Sequence, residues 1–386
     1  MIWLALLCGA EDAFIARTVE GKEVRGPLAS LASGSGIGLG KGGRRKVAWA
    51  DLATLRREGS KLPEMPADEH LVLAWGDRVP ARDLRLDGER LSFSHPDLEK
   101  PSVALAGVAL VWRTGPDRAG DPAAARRTLL AAKRKSDRVI LRNGDGIEGT
   151  LSKLGDSVEV EQDGKKRSLP WAQVAAVALA SEGAERPKGM VARVVVAPSD
   201  RSPGGRFALV SARADEDGLI GKTAFGATLR VPLERVELLE RVAERIVPLS
   251  SLAPSAYRYY PYLDEAAKWS ADGTAAGGDL RVGGSTWSEG MSLRAHSRTE
   301  WALAGAFKRF EALVGLDDRE GKRGKAKLRV LGDGKEVAAH ELAHSSGPAR
   351  VSVSVEGTKA LALEVLPNGA GPVRAVVDLV DARLLK

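Results

Sequence analysis

The nine residues AAHELAHSS, Ala338 to Ser346, decide how the last third of the chain is interpreted. They contain H-E-x-x-H, with His340, Glu341 and His344 at the spacing of a zinc-binding metalloprotease helix. Four residues of helix advance about 6 Å and return to the same face, so two imidazoles can reach one ion. Along a strand the same four residues advance about 13 Å, which is too far for both rings to bind one zinc ion.

The sequence on both sides of this motif favours a strand. KLRVLGDGKEVAA precedes it and ARVSVSVEG follows it, and both alternate apolar with polar residues. GDG at Gly332 to Gly334 is typical of a hairpin turn, which puts the motif on the returning strand. We therefore interpret H-E-x-x-H at 340–344 as a chance match and predict no metal and no cofactor. A zinc hydrolase is the alternative that a helix here would support.

Size and composition indicate several small all-β domains. The chain has 386 residues, of which 44% are apolar and 28% charged, as in soluble globular proteins. Its 43 Gly and 19 Pro suit many tight turns between short strands. The net charge of +7 is spread over short basic clusters without a recognition motif, so we predict no specific nucleic-acid partner. Cys8 is the only cysteine, which excludes disulfides within the chain.

The first ten residues, MIWLALLCGA, resemble an export signal. The run is far too short to span a bilayer, which takes about 20 residues. Cys8 and Ala10 suit the small residues before a signal-peptidase cleavage site. We predict a signal peptide at 1–10, a secreted, periplasmic or cell-envelope location and no transmembrane segment. A buried first strand is the alternative.

A strand plan repeats in the first 246 residues. Copies start near residues 14, 70 and 138, with a looser copy from about Val191 to Leu239, and each predicts four or five short strands. This period suits small Sm-like or SH3-like β-barrels, which we place at 12–60, 68–115, 136–183 and 188–246. The closing strands lie beside Trp49, Trp112 and Trp171, which we interpret as core residues. The Ala-rich segment within 120–135 predicts a helical connector.

The final segment, 252–386, resembles a known family in five successive stretches: LRVGGSTWSEGMSLRAHSRTEW, FKRFEALVGLDD, LRVLGDGKEV, VSVEGTKALALEV and VDLVDARLL. They resemble the NPCBM family of carbohydrate-binding modules, which is found beside family 98 glycoside hydrolases and in exported bacterial proteins. The resemblance implies a jelly-roll β-sandwich of the galactose-binding type. It also implies a carbohydrate partner.

The first two stretches supply the candidate carbohydrate-binding residues, which are Trp287, Arg294, His296, Arg298, Asp317 and Asp318. We expect Trp287 to be exposed and Trp301 to lie in the core. His296 could equally be a hydrogen-bonded structural residue, and Asp317-Asp318 could cap a turn. All four tyrosines of the chain fall between Tyr257 and Tyr262. We interpret this cluster as a strap that packs the last barrel against the sandwich, with a sugar platform as the alternative.

These observations together predict a non-catalytic, exported carbohydrate-binding protein. The sandwich would bind glycan, and the small barrels would act as spacers or interaction modules. No segment has the length of a usual glycosidase catalytic domain, which must hold two carboxylates at a set separation. The alternative is a structural protein of the cell envelope whose sandwich binds protein partners.

Overall fold

The protein is described by a computed structural model over residues 13–117, 119–180, 187–215, 217–260, 269–274, 277–319, 324–368 and 375–386. Within these ranges nearly all regular structure is β-strand, with a single α-helix, α1 (Pro122–Ala131). The expected all-β fold, with tandem small units followed by a β-sandwich, is confirmed. The predicted signal peptide and Tyr262 lie outside the described residues. None of the helices in the described ranges has the length and apolar character needed to cross a membrane.

The first two small units occupy the chain before α1. Unit 1 consists of β1 (Ala13–Thr18), β2 (Glu23–Ala32), β3 (Gly36–Leu39), β4 (Arg45–Ala48) and β5 (Leu52–Arg57). Unit 2 consists of β6 (His70–Leu73), β7 (Arg78–Pro80), β8 (Arg82–Asp87), β9 (Arg90–Ser94), β10 (Leu98–Glu99), β11 (Ser102–Ala104) and β12 (Val108–Trp112). Ala81 alone separates β7 from β8, so these two strands act as one bent strand.

The next two units follow α1. Unit 3 consists of β13 (Asp137–Leu141), β14 (Gly146–Leu154), β15 (Ser157–Gln162), β16 (Lys165–Pro170) and β17 (Val174–Ala178). Unit 4 consists of β18 (Ala192–Val196), β19 (Gly205–Asp215), β20 (Gly218–Thr223), β21 (Thr228–Val231) and β22 (Val236–Arg241). Single 3-10 turns precede the last strand of units 2, 3 and 4, at Leu105–Gly107, Trp171–Gln173 and Leu233–Arg235, and another follows β3 at Lys41–Gly43.

All four units share one topology, in which the first strand pairs with both the second and the last. The pairs are β1 with β2 and β5, β6 with β7 and β12, β13 with β14 and β17, and β18 with β19 and β22. The first hairpins of units 1 to 3 turn at Gly21, Gly76 and Gly144, whose φ angles are 82°, 102° and 95°. These left-handed conformations explain why glycine stands at each turn.

The units join through their closing strands and not in chain order. Strand β5 of unit 1 pairs with β22 of unit 4, and β12 of unit 2 pairs with β17 of unit 3. The short strand β10 of unit 2 then pairs with β21 of unit 4. The spatial order is therefore 1–4–2–3, and each pairing covers a strand edge that would otherwise be open. One hydrophobic cluster runs through the array from Phe14 to Leu239.

The three tryptophans predicted as core residues have different surroundings. Trp49 is 7% exposed and belongs to the common core of the units. Trp112 is fully buried, but it packs in a separate cluster formed by strands of units 2 and 3, and Leu129 of the helix α1 packs against this cluster. Trp171 is only half-buried, and its Nε1 donates a hydrogen bond to Glu69 Oε1 at 3.1 Å. Trp171 nevertheless packs against the common core, at its periphery.

The C-terminal sandwich is formed by the remaining strands: β23 (Ile246–Pro248), β24 (Ala256–Tyr259), β25 (Ser270–Ala271), β26 (Leu280–Val282), β27 (Ser285–Trp287), β28 (Gly290–Arg294), β29 (Ser297–Ala302), β30 (Arg309–Leu316), β31 (Lys325–Gly332), β32 (Lys335–Ala343), β33 (Ala349–Ser354), β34 (Ala360–Pro367) and β35 (Val376–Leu385). The six-stranded sheet has the order β25-β28-β35-β30-β33, with β23 on β35, and the five-stranded sheet has the order β24-β29-β34-β31-β32. Both sheets contribute to one core that contains Trp301, as expected, and Phe310.

The first four residues of the H-E-x-x-H motif lie on a strand, as the sequence predicts. His340 and Glu341 belong to β32, which pairs with β31, and His344 begins a 3-10 turn that ends at Ser346. Glu341 is exposed and lies 3.8 Å from Lys327 Nζ. The described residues include no group of three or more His, Cys, Asp or Glu side chains placed to hold a metal ion.

Candidate functional site

The six candidate carbohydrate-binding residues lie in two separate places. Arg294, His296 and Arg298 meet at the corner where β28 of one sheet passes into β29 of the other. His296 forms this corner with a φ of 65° and donates its backbone N–H to Val365 O at 2.7 Å. Ser297 closes the turn by donating its hydroxyl to Arg294 O at 2.6 Å. The corner is therefore fixed by hydrogen bonds.

The tyrosine-rich segment forms the edge strand beside this corner. Strand β24 pairs with β29, which places Arg258 directly opposite Arg298. One residue beyond β24, the backbone N–H of Tyr260 donates to His296 O at 2.9 Å. Tyr260 is 60% exposed, and Val337 at 45% is the only other exposed large hydrophobic residue in the described part of the chain. We call Arg258, Tyr260, His296 and Arg298 the corner patch.

Two further tyrosines lie next to the corner patch on strand β24. Tyr257 and Tyr259 are half-buried in β24. Burial and the neighbouring Tyr259 raise the pKa of Tyr257 to about 12, while the positive charge of Arg294 acts in the opposite direction. Tyr257 therefore stays a neutral phenol throughout the physiological range. The segment is an edge strand of the sandwich, and this pairing corrects its interpretation as a strap between the last barrel and the sandwich.

Ion pairs hold the charged groups on the same sheet face. Arg298 Nη2 donates to Glu300 Oε2 at 3.1 Å, and Arg329 Nη1 donates to Glu364 Oε2 at 2.6 Å. Glu364 is the register partner of both arginines, since β34 lies between β29 and β31. Both carboxylates near the patch are therefore engaged with guanidinium groups.

Trp287 lies elsewhere, and the expectation that it is exposed is wrong. It is 4% exposed and packs with Leu62, Val195 and Leu238 of the small units in a separate apolar cluster. The guanidinium of Arg56 lies over its ring, 5.2 Å from the centroid. The hairpin β26–β27 that carries Trp287 is thus part of the contact between the sandwich and the units.

Asp317 and Asp318 lie near that hairpin and hold turns. Asp317 is 1% exposed and accepts a hydrogen bond from the backbone N–H of Arg319 at 2.9 Å. Asp318 accepts from the backbone N–H groups of Gly283 at 3.3 Å and Gly284 at 2.8 Å. These bonds match the turn-capping alternative, and a role of the two carboxylates in sugar binding stays a prediction.

The sandwich docks on the units through the outer face of its six-stranded sheet. Arg17 of β1 donates to Glu311 of β30 at 3.0 Å, and Arg126 of α1 donates to Asp279 at 3.0 Å. Strand β23, which leaves unit 4, pairs directly with β35. The outer face of the five-stranded sheet, where the corner patch lies, is on the opposite side of the sandwich. Docking therefore covers Trp287 and leaves Tyr260 open.

The sequence contains a weak signal for Tyr260 as a candidate. The tyrosine cluster is conspicuous, but periodicity alone cannot tell which of its rings points to solvent. That distinction follows from the pairing of β24 with β29, which turns Arg258 outward and leaves Tyr257 and Tyr259 half-buried.

The C-terminal sandwich is similar to known proteins. The family model of the NPCBM/NEW2 domain matches residues 249–385. A Renibacterium salmoninarum protein provisionally named endo-alpha-N-acetylgalactosaminidase is 30% identical over 119 residues, which are 30% of this chain and 8% of that protein. The chain therefore spans only a small part of the length of this relative.

The solved structures that are similar to the chain include carbohydrate-binding modules of two glycoside hydrolases. One is a family 51 carbohydrate-binding module of a Clostridium perfringens family 95 glycoside hydrolase in complex with methyl-galactose, with 21% identity, a TM-score of 0.33 and coverage of 36% of this chain and 99% of that one. The other is a tandem of family 51 modules from a Streptococcus pneumoniae family 98 glycoside hydrolase, with 12% identity, a TM-score of 0.33 and coverage of 64% and 87%. The family match carries the assignment: residues 249–385 of this chain are an NPCBM/NEW2 domain, a carbohydrate-binding module.

Proposed function

We propose that this chain is a non-catalytic, exported carbohydrate-binding protein that binds glycan at the corner patch. The observation that carries the proposal is that residues 249–385, an NPCBM/NEW2 domain, fold as a sandwich with Tyr260 60% exposed on its undocked side. The proposal of export rests only on the resemblance of residues 1–10 to a signal peptide.

The chemistry of the patch suits a sugar ring. A pyranose offers an apolar C–H face and a rim of hydroxyls, and binding sites for such ligands combine an aromatic face with a few fixed polar groups. Tyr260 supplies the aromatic face. Arg258 and Arg298 supply N–H donors for hydroxyl oxygens, and the His296 ring can donate or accept depending on its tautomer. Arg294 contributes a positive charge near Tyr257.

The absence of catalysis is supported by the state of the nearby carboxylates. A glycosidase requires one carboxyl group that holds a proton for the leaving oxygen and a second that acts as nucleophile or base. Glu300 and Glu364 are each paired with an arginine, at 3.1 and 2.6 Å. Both carboxylates are therefore bound by a guanidinium group, and neither is free to contact a glycosidic oxygen.

The four small units serve as a platform in this proposal. Their closing strands pair with each other, and their common core runs through all of them. A platform of this kind would hold the sandwich at a fixed orientation with the corner patch directed away from it.

A glycan array probed with the full chain tests the proposal. We expect selective binding to at least one class of glycan, and loss of that binding in Tyr260→Ala. Val337→Ala is the matched control because it removes another exposed hydrophobic side chain, from β32 of the five-stranded sheet. Absence of binding to any glycan by the folded wild-type chain would overturn the proposal and favour the protein-binding alternative.

A further inference from the structure

A polar crevice opens where the units, the helix α1 and the sandwich meet. Its volume is about 370 Å³, and its walls come from units 2 and 4, α1, and the chain around Asp272 and Ser288 of the sandwich. This volume is near the lower end of the range for small-molecule sites, about 300–1,000 Å³. Four arginines line it, namely Arg78, Arg127, Arg193 and Arg206. The crevice is well separated in the fold from the corner patch, which lies on the other face of the sandwich.

Three of these arginines have acceptors within the protein. Arg206 donates to Thr286 O at 2.7 Å and to Pro63 O at 2.9 Å. Arg127 donates to Ser270 Oγ at 3.1 Å and also to the backbone oxygens of Ala271 and Asp272. Arg193 contacts the carboxylate of Glu289. The guanidinium groups of Arg127 and Arg206 therefore donate mainly to neutral oxygens, which do not neutralise their positive charge.

Arg78 differs from the other three. Its Nε and Nη1 atoms are buried, and no side chain or backbone oxygen in the described part of the chain accepts a hydrogen bond from them. Burial lowers the pKa of Arg78 to about 10, and the nearby charges of Arg126 and Arg206 act in the same direction. Asp279 acts in the opposite direction, but its carboxylate is bound by Arg126 at 3.0 Å. The group is still fully charged at neutral pH. A buried guanidinium without an acceptor is strongly unfavourable and calls for a partner of opposite charge.

The acids of the crevice do not supply that partner. Glu289 forms an ion pair with Arg193, and Asp272 lies beside Arg127, so both carboxylates already have a positive neighbour. Burial raises the pKa of Asp77 to about 7, and burial together with Asp381 raises the pKa of Glu240. Asp77 therefore holds a proton for part of the time near neutral pH. When Asp77 is protonated, the four arginines of the crevice outnumber its charged carboxylates, and the indole of Trp75 lies beside the carboxyl group of Asp77.

We propose that this crevice binds a tetrahedral oxyanion, a phosphate or sulfate group, with Arg78 as its principal partner. Guanidinium groups match the oxygens of such anions and form charge-assisted hydrogen bonds with them. The protonated carboxyl of Asp77 and the indole N–H of Trp75 can add neutral donors. The anion would neutralise charge at the contact between units 2 and 4, α1 and the sandwich. The crevice has room for the free ion or for the same group attached to one sugar ring.

The test uses the full chain with sodium phosphate, sodium sulfate and glucose 6-phosphate as probes. Calorimetric titrations and thermal melts are compared with sodium chloride at equal ionic strength, because screening alone affects all salts similarly. We expect saturable binding and a melting temperature that rises with the oxyanion. In Arg78→Gln we expect the dissociation constant to increase at least tenfold. Arg82→Gln is the control, since Arg82 is an exposed arginine of the same unit.

A second readout separates a binding role from a structural one. In sodium chloride, Arg78→Gln should melt at the same or a higher temperature than the wild type, because it removes an unpaired buried charge. In phosphate the order should reverse. Stronger binding of glucose 6-phosphate than of phosphate would identify a group carried on a sugar, and the converse would identify the free ion. Wild-type protein with no saturable response to any probe, or equal binding by Arg78→Gln, would overturn the proposal.

Discussion

The buried carboxylate of Glu311 links the sandwich to unit 1, and its removal should weaken both the sandwich and the docking. Glu311 is 1% exposed and accepts hydrogen bonds from Arg17 Nη2 at 3.0 Å and from Arg383 Nη2 at 3.0 Å. Burial acts to raise its pKa, but the two guanidinium groups outweigh burial and hold the pKa of Glu311 below its usual value. Glu311→Gln keeps the shape of the side chain and removes the charge.

The magnitude follows from what the two arginines lose. Removing one partner of a buried ion pair costs about 3–5 kcal/mol, because the other charge stays buried. Arg383 retains Asp381 at 2.9 Å and Arg17 retains Glu23 at 3.8 Å, so we expect the lower end, about 3 kcal/mol. For a unit of the size of the sandwich, this corresponds to a fall in Tm of roughly 6–12 °C.

Urea unfolding and calorimetry of the full chain measure this loss. Glu356→Gln is the matched control, since Glu356 is an exposed glutamate of the same sandwich and should change the free energy of unfolding by less than about 0.5 kcal/mol. A double-mutant cycle with Arg17→Met isolates the contact between the sandwich and unit 1. A loss below about 1 kcal/mol for Glu311→Gln would place the pair among ordinary surface ion pairs and refute the reasoning.

Three other features give further predictions. Burial raises the pKa of Asp77 from 3.8 to about 7, so the folded protein binds a proton that the unfolded chain releases, and stability should fall as pH rises between these values. The slope of the free energy of unfolding against pH is at most about 1.4 kcal/mol per pH unit, and Asp77→Asn should flatten it. Urea unfolding at a series of pH values measures the slope, and equal slopes for the variant and the wild type would contradict the prediction. Trp287→Ala should destabilise the protein by about 3–5 kcal/mol, as judged by calorimetry, because it empties the apolar cluster between the units and the sandwich; an unchanged Tm would be inconsistent with its burial. His340→Ala should leave the zinc content of the purified protein unchanged, as measured by elemental analysis, because a strand separates His340 from His344; stoichiometric zinc that disappears in the variant would contradict the strand assignment.

The local elements could be predicted from the sequence because they depend on short-range patterns. Alternation marks β31 and β32, and the glycines at 76 and 144 mark the first hairpins of units 2 and 3, where φ is positive. The strand that carries His340 follows from the same alternation. Such signals lie within a few residues of the feature that they predict.

The arrangement of the units and the exposure of the aromatic residues could not be predicted in this way. The pairing of β5 with β22 brings Leu55 opposite Leu239, and no local pattern specifies which edges will meet. The burial of Trp287 depends on Leu238 and Val195 of unit 4, which are distant in sequence. Tyr260 is exposed because docking occurs on the opposite side of the sandwich. Long-range contacts therefore decide which of the two aromatic residues is available to a ligand.

Calorimetric titration of the full chain with a glycan that it binds tests the central claim most directly, when Tyr260→Ala and Trp287→Phe are compared. The account predicts that Tyr260→Ala weakens binding at least tenfold, about 1.4 kcal/mol, while the folded Trp287→Phe binds like the wild type. Unchanged affinity in Tyr260→Ala together with lost affinity in a folded Trp287→Phe would contradict it.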